Sequence, residues 1–213
     1  MGAKKKAKQA ARAEHELTGK VATMRDRTPV ALLGAASEVA DQPPLVIVSL
    51  ATIGAGLVLR RPAAVRTGAR MLLAHALATG GKTLLKRTID RTRPRRALAD
   101  GRHRAAKNKG ARDTDLNSFP SGHTAGAVAV AQAVAGGANG LAAPARGAAI
   151  AVGAMQLPYG KHYVSDVLAG AAIGWLAENI AARLVNGGER ALLTVREGRA
   201  DRRALAEAEA HPS

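Results

Sequence analysis

Three groups of side chains in this sequence have the types and spacing that chemistry on a phosphate ester requires. Lys86 is followed after six residues by Arg93-Pro94; Phe119-Pro120-Ser121-Gly122-His123 forms a turn that hands an imidazole to an apolar run; and His162 precedes Asp166 with three residues between. Phosphoryl transfer needs charge neutralised on the phosphoryl oxygens, a nucleophile in line, and a proton for the leaving oxygen. Two cations, two imidazoles and a carboxylate make up such a set. Pro120 fixes φ, Gly122 lets backbone approach a ligand, and a helix beginning near Thr124 leaves its first N–H groups without intrahelical acceptors. That is an anion site, to which Ser121 and the Gly122 N–H add neutral donors. His162 and Asp166 lie one helical turn apart, so the carboxylate can take the Nδ1–H and leave Nε2 to attack phosphorus. Each group alone has an ordinary reading: a capped turn, surface charge, a helix-start ion pair.

Taken together, in this order and spacing, the groups resemble the signature of the phosphatidic acid phosphatase type 2 superfamily, which also includes bacterial acid phosphatases and vanadium haloperoxidases. Lys86, Arg93 and Pro94 match its Lys-x6-Arg-Pro motif, Pro120 to His123 match Pro-Ser-Gly-His, and His162 and Asp166 match the end of Ser-Arg-x5-His-x3-Asp. The resemblance implies that His162 forms a phosphohistidine, that Asp166 supports it, and that His123 protonates the leaving alcohol and later activates water. It implies phosphate binding by Lys86, Arg93, Ser121 and Gly122, and by Gln156 at the position of the motif's arginine, with no metal and no cofactor. Met155 and Gln156 stand where the motif has Ser and Arg. Gln156 donates only neutral hydrogen bonds and cannot supply the charged fork of arginine; Lys161, beside His162, is the candidate to compensate. The implied activity is a metal-independent phosphohydrolase for a lipid phosphate monoester or a polyprenyl diphosphate. The alternatives are a weakened or inactive membrane protein that binds anionic lipid, a soluble acid phosphatase, and a vanadate-using haloperoxidase.

The elements that must position these groups are helical. A chain of 213 residues allows one domain with a real core. Its formal charge of +16 calls for an anionic partner. Phe119, Tyr159, Tyr163 and Trp175 are the whole aromatic complement, too few to build base-stacking platforms, so nucleic acid is not the expected partner. Cysteine is absent, which removes disulfides, thiolate chemistry and the usual zinc sites.

Residues 1–27, with Lys4, Lys5, Lys6, Lys8 and Arg12, read as a basic tail, either solvated or lying on an anionic leaflet. Thr28-Pro29 opens a short helix that ends before Pro43-Pro44. Residues 45–59 form an apolar helix closed by Arg60-Arg61-Pro62, and residues 64–89 form the next, with Lys86 in its last turns and His75 as a packing residue. Residues 90–116 read as a long basic loop, with His103 exposed in it. Uncharged, Ala- and Gly-rich stretches at 123–143 and 148–157, and a helix from Ser165 to Val185, supply faces that pack closely. Residues 187–213 read as a charged tail.

The expected fold is therefore all-α: a membrane-embedded bundle of five to six helices over residues 28–186, with the three motifs at one end. The expected location is a multi-pass protein of a bacterial-type inner membrane. Lys and Arg in the N-terminal tail and in the loop after Lys86 favour the cytoplasmic side for both.

Overall fold

The structure is a computed structural model that describes residues 2–24, 37, 42–101, 105–107 and 114–210. Seven α-helices occur among them, with one two-stranded sheet. Helix α1 spans Ala3–Ala22. Helix α2, Gln42–Val58, carries Pro43 and Pro44 in its first turn, where a missing N–H breaks no helical bond. At 17 residues it is about 26 Å long. A tight turn through Arg60, which adopts a positive φ of 50°, leads to Pro62 at the start of α3, Pro62–Lys86.

After α3 the chain forms strand β1, Ile89–Arg91, then helix α4, Pro94–Asp100, and strand β2, Ala105–Lys107. The strands pair antiparallel, with Asp90 opposite Ala106. A 3-10 turn at Thr114–Leu116 precedes α5, Gly122–Gly137; a second at Asn139–Leu141 leads to α6, Ala142–Met155; and α7 covers Val164–Ala210.

Helices α3, α5 and α7 each pack on the other two, while α2 lies against α3 and α6 against α5. Among the described residues the chain thus crosses the bundle five times and returns α3, α5, α6 and α7 to one end. The buried core is built mainly of alanine: Ala74 and Ala78 from α3, Ala125 and Ala129 from α5, and Ala177 and Ala181 from α7. Such small faces let backbones meet. A Cβ at Gly170 would lie 2.5 Å from the Ser121 carbonyl oxygen, and one at Gly174 would lie 2.4 Å from that of Ala125. Only glycine allows α7 to cross α5 at this distance. Farther along, Arg70 of α3 pairs with Glu178 of α7 inside the bundle, both side chains largely buried.

The outside of the bundle is apolar over long stretches. Ile47, Leu50, Leu57 and Val58 of α2 and Leu168, Trp175, Leu176 and Leu184 of α7 are exposed. Val164–Arg199 is long and apolar enough to cross a membrane by length and composition, and Gln42–Val58 is a shorter apolar helix.

Several expected boundaries move. Helix α5 ends at Gly137 rather than 143, and α6 starts at Ala142 rather than 148. Gly136-Gly137 stop the first, and no charged residue marks the start of the second. The stretch 90–116 is not an unbroken loop, since β1, α4, β2 and the Thr114–Leu116 turn fall within it. Its short strand pair is tied down by tertiary contacts that composition does not reveal. Helix α7 continues to Ala210, well past the expected end at Val185, because Ala, Leu, Glu and Arg sustain helix without burial. The N-terminal segment is helical over Ala3–Ala22. The helix expected from Thr28 lies outside the described residues except at Ser37, which is buried. His103, Arg102, Arg104, Lys109 and Arg112 lie outside them as well.

Candidate active site

The three motifs meet where α3 ends and where α5 and α7 begin. Lys86 is the last residue of α3, Ser121 caps α5, Asp166 sits in the first turn of α7, and His162 lies just ahead of it. The Ser121 N–H donates to the Asp166 carbonyl at 3.0 Å, so the two helix starts are tied directly. Arg93 precedes Pro94 at the start of α4, and its own N–H donates to Asp115 O at 2.8 Å.

The tautomer of His162 follows from its surroundings. The ring is almost fully enclosed, and Nδ1 stands 2.7 Å from the Ser118 carbonyl oxygen. A carbonyl only accepts, so Nδ1 carries the hydrogen and the lone pair of the neutral ring is on Nε2. Asp166 Oδ2 is farther from Nδ1, at 3.8 Å. The carboxylate therefore does not take the Nδ1–H directly, as the spacing alone had suggested. It is held instead by Ser118 Oγ–H at 2.5 Å, by the Tyr163 N–H at 2.9 Å and by Arg91 Nη1 at 2.5 Å. Burial pushes the His162 pKa down to about 4, against the pull of Asp166 and with help from the positive charges of Arg93 and Lys86.

Ser118 is fixed from the other side by the strand. Its N–H donates to Arg91 O at 3.0 Å, and Arg91 and Asn117 form a parallel bridge. The Asn117 carbonyl, one residue earlier, accepts from Lys86 Nζ at 3.1 Å. Two consecutive carbonyls thus orient the imidazole and one cation. The motifs gave no sign of Ser118, which is an ordinary serine two residues before a proline. Arg91 was legible only as one of many loop cations. Its guanidinium lies between Asp166 and Glu14 of α1, with Cζ 4.1 Å from the Tyr163 ring centroid.

The cationic side of the site comprises Lys82, Lys86 and Arg93, with Lys82 and Arg93 each within electrostatic reach of Lys86. Arg93 Nε donates to Thr114 O at 3.1 Å, and its two terminal nitrogens bond nothing among the described residues. Lys82, one turn before Lys86, brings its ammonium to the N-terminus of α5: a Cβ at Gly122 would stand 3.0 Å from it. The i, i+4 spacing with Lys86 was the available signal for Lys82. A cluster of like charges facing a helix N-terminus is arranged for an anion. Ser121 Oγ is turned into the helix, 2.9 Å from Thr124 Oγ1 and accepting the Thr124 N–H at 3.4 Å, so it acts as the helix cap. The neutral donors at this end are therefore the N–H groups of Gly122 and His123. His123 is the second residue of α5 and half-buried.

Gln156, expected among the phosphate-binding residues, is instead turned into the scaffold of this end, because its side chain is buried and bonded within the bundle. Its carbonyl accepts the N–H groups of Lys161 at 3.2 Å and His162 at 3.3 Å, holding the turn that presents the imidazole. Its side chain is fully buried; the amide donates to Val152 O at 3.1 Å and reaches Ser37 Oγ at 3.5 Å. The Lys161 ammonium lies 5.2 Å from the Tyr159 ring centroid. Among the described residues no group of three or more His, Asp or Glu is placed to hold a metal ion.

Comparison with known proteins identifies the family. The family model described as PAP2 superfamily matches residues 67–189, more than half of the chain, and the chain belongs to that superfamily. Its structure is similar to the crystal structure of Aquifex aeolicus LpxE, with a TM-score of 0.56 and 21% identity over 79% of this chain and 93% of that one. A second similar structure is the transmembrane PAP2 type phosphatidylglycerolphosphate phosphatase from Bacillus subtilis, with a TM-score of 0.38 and 21% identity over 84% and 94% of the two chains. No curated protein matches the chain.

Proposed function

We propose that this member of the PAP2 superfamily is a membrane phosphohydrolase that cleaves a lipid phosphate monoester or a polyprenyl diphosphate through a phosphohistidine on His162. The observation that carries the reading is the Nδ1–H donated to Ser118 O, which leaves the Nε2 lone pair of a neutral imidazole beside Lys86 and Arg93, with Lys82 next to Lys86. Those cations and the N–H groups at the start of α5 neutralise the phosphoryl oxygens. Nε2 attacks phosphorus, the ester P–O bond breaks, and His123 gives its proton to the leaving oxygen. His123 then takes a proton from water, hydroxide attacks phosphorus, and the P–N bond breaks to release phosphate and restore His162. Asp166, held by Arg91, Ser118 and the Tyr163 N–H, fixes the electrostatics around the ring and supports the imidazolium-like charge that develops.

The membrane part of the reading is supported by the exposed apolar faces of α2 and α7 and by Val164–Arg199. The ester oxygen would then be presented at the end of the bundle where α3, α5 and α7 meet, with the lipid tail along the apolar exterior.

One observation favours a second reading, a protein that binds anionic lipid without turnover. Where the motif has arginine, the Gln156 amide is spent on Val152 O and Ser37. Phosphate release by the detergent-purified chain, with EDTA present, from phosphatidate, phosphatidylglycerophosphate, a polyprenyl diphosphate and p-nitrophenyl phosphate tests both. Release that vanishes in a folded His162→Ala variant supports the hydrolase and ranks its substrates. Absence of release from all four, with release gained in Gln156→Arg, establishes the lapsed enzyme.

A further inference from the structure

Resting on the hydrolase reading, we infer that α1 is a positioning element of the catalytic centre: Glu14 acts through Arg91 on Asp166, and seating of the basic face of α1 on an anionic leaflet raises turnover. The contacts are continuous. Glu14 Oε2 accepts from Arg91 Nη2 at 2.8 Å, and Arg91 Nη1 donates to Asp166 Oδ1 at 2.5 Å. Asp166 Oδ2 accepts from Ser118 Oγ, and the Ser118 carbonyl holds the His162 ring. The other oxygen of Glu14 accepts the Ser165 N–H at 2.6 Å, at the first turn of α7.

Arg91 stands between two carboxylates with its side chain 11% exposed, against 17% for Glu14 and none for Asp166. A guanidinium so enclosed divides its charge between its partners, so the state of Glu14 sets how firmly Asp166 is held. The N-terminal helix is further pinned by His15 Nδ1, 3.3 Å from the Tyr163 hydroxyl, in the residue between His162 and Val164. Burial of Thr18 and the approach of Gly19 to Leu98 of α4 complete the contact.

The occupant of the outer face of α1 is an anionic lipid surface. Lys5, Lys6, Arg12 and Lys20 are exposed and pair with no carboxylate among the described residues. Leu17 of α1 and Leu168 of α7 border one groove with Val164 and are 54% and 64% exposed. The apolar edge of α1 therefore continues the start of the segment that is apolar enough to cross a membrane, with cations beside it. A helix with that division of faces lies in the headgroup plane, where each cation is drawn to the anionic surface.

The test uses the full chain in vesicles of phosphatidylcholine alone and of phosphatidylcholine mixed with phosphatidylglycerol, with p-nitrophenyl phosphate as soluble substrate. Glu14→Gln is expected to lower kcat about tenfold with KM unchanged. In an Arg91→Lys background the same substitution is expected to add little, because the route is already broken. Anionic vesicles are expected to raise the wild-type kcat several-fold. Replacing Lys5, Lys6, Arg12 and Lys20 by Gln is expected to abolish that response while keeping the rate in neutral vesicles. A Glu14→Gln enzyme with unchanged kcat, a loss confined to KM, or full additivity with Arg91→Lys overturns the inference. A wild type without turnover overturns the hydrolase reading instead. The positioning is then read from the His162 ring Nδ1–H resonance, which should move in Glu14→Gln; an unmoved resonance overturns it in an active or an inactive protein.

Discussion

His162 Nδ1 lies 2.7 Å from the backbone carbonyl of Ser118, closer than its 3.8 Å to Asp166. A main-chain atom thus sets the tautomer, and it survives any substitution at residue 118. Ser118→Ala removes only the hydroxyl that reaches Asp166, a hydrogen bond worth about 1.5–3 kcal/mol because its acceptor is charged. Its kcat is expected to fall by less than about a hundredfold. Asp166→Asn should cost more, since it leaves the buried Arg91 guanidinium without its inner partner. Steady-state kinetics on the two variants, with thermal unfolding as a control, ranks them; a Ser118→Ala enzyme as slow as Asp166→Asn would contradict this account.

The enclosed imidazole makes a pH prediction. The folded pKa of His162 is about 4, below the 6.5 of an unperturbed histidine. The unfolded chain therefore binds more protons between those values. The stability this group contributes is complete above pH 6.5 and is lost as pH falls through about 4, by about 3 kcal/mol. The nucleophile likewise stays unprotonated across the mildly acidic range. Nitrogen-15 NMR of the His162 ring should show a neutral Nδ1–H tautomer at pH 5. A ring titrating near 6.5 would show that it is hydrated rather than buried.

Motif spacing brought most of the candidate site's residues into view, and periodicity carried the bundle. Lys86, Arg93, Ser121, Gly122, His123, His162, Gln156 and Asp166 all fall at or beside one end of the helices. What stayed hidden is what tertiary structure creates: the Ser118 carbonyl is a backbone atom, and every residue has one. Arg91 could be told from its basic neighbours only by knowing that a strand pairs Ile89–Arg91 with Ala105–Lys107 and turns its side chain toward Asp166. The break between α5 and α6 was blurred because Ala and Gly continue on both sides of it, and the length of α7 was missed because exposed helix has no apolar period to follow.

Arg70 and Glu178 provide a test of how α3 and α7 are held together. Their side chains are 13% and 10% exposed, and the guanidinium also passes α5, where a Cβ on Gly136 would come within 2.6 Å of it. Removing either charge alone is expected to destabilise the protein by about 3 kcal/mol or more, because the other is left buried. The pair replaced together, Arg70→Met with Glu178→Leu, should recover most of that loss. Thermal unfolding of the three variants measures the coupling, and additive losses would mean that the ions do not interact.

Gly174→Ala tests the crossing of α5 and α7. The added Cβ would sit 2.4 Å from the Ala125 carbonyl oxygen, a backbone atom with no rotamer to yield. A loss of about 1–3 kcal/mol is expected, the usual penalty for overpacking. Gly170→Ala, with its Cβ 2.5 Å from Ser121 O, meets the same obstacle next to the cap of α5 and should reduce activity out of proportion to its stability loss. Comparing residual kcat with unfolding temperature for the two separates the effects.

A core of Ala74, Ala78, Ala125, Ala129, Ala177 and Ala181 has little packing to lose by truncation, since an alanine shortened to glycine vacates a single methyl and adds only the helix cost of glycine, about 1 kcal/mol. The fold is therefore far more sensitive to enlargement than to truncation at these positions. A saturation library scored for surviving protein would show these columns rejecting every larger side chain, whereas in a leucine-filled interior the sharpest losses come from smaller ones. For a sequence under drift, that asymmetry locks the interface to the smallest letters of the alphabet and leaves variation to the surface.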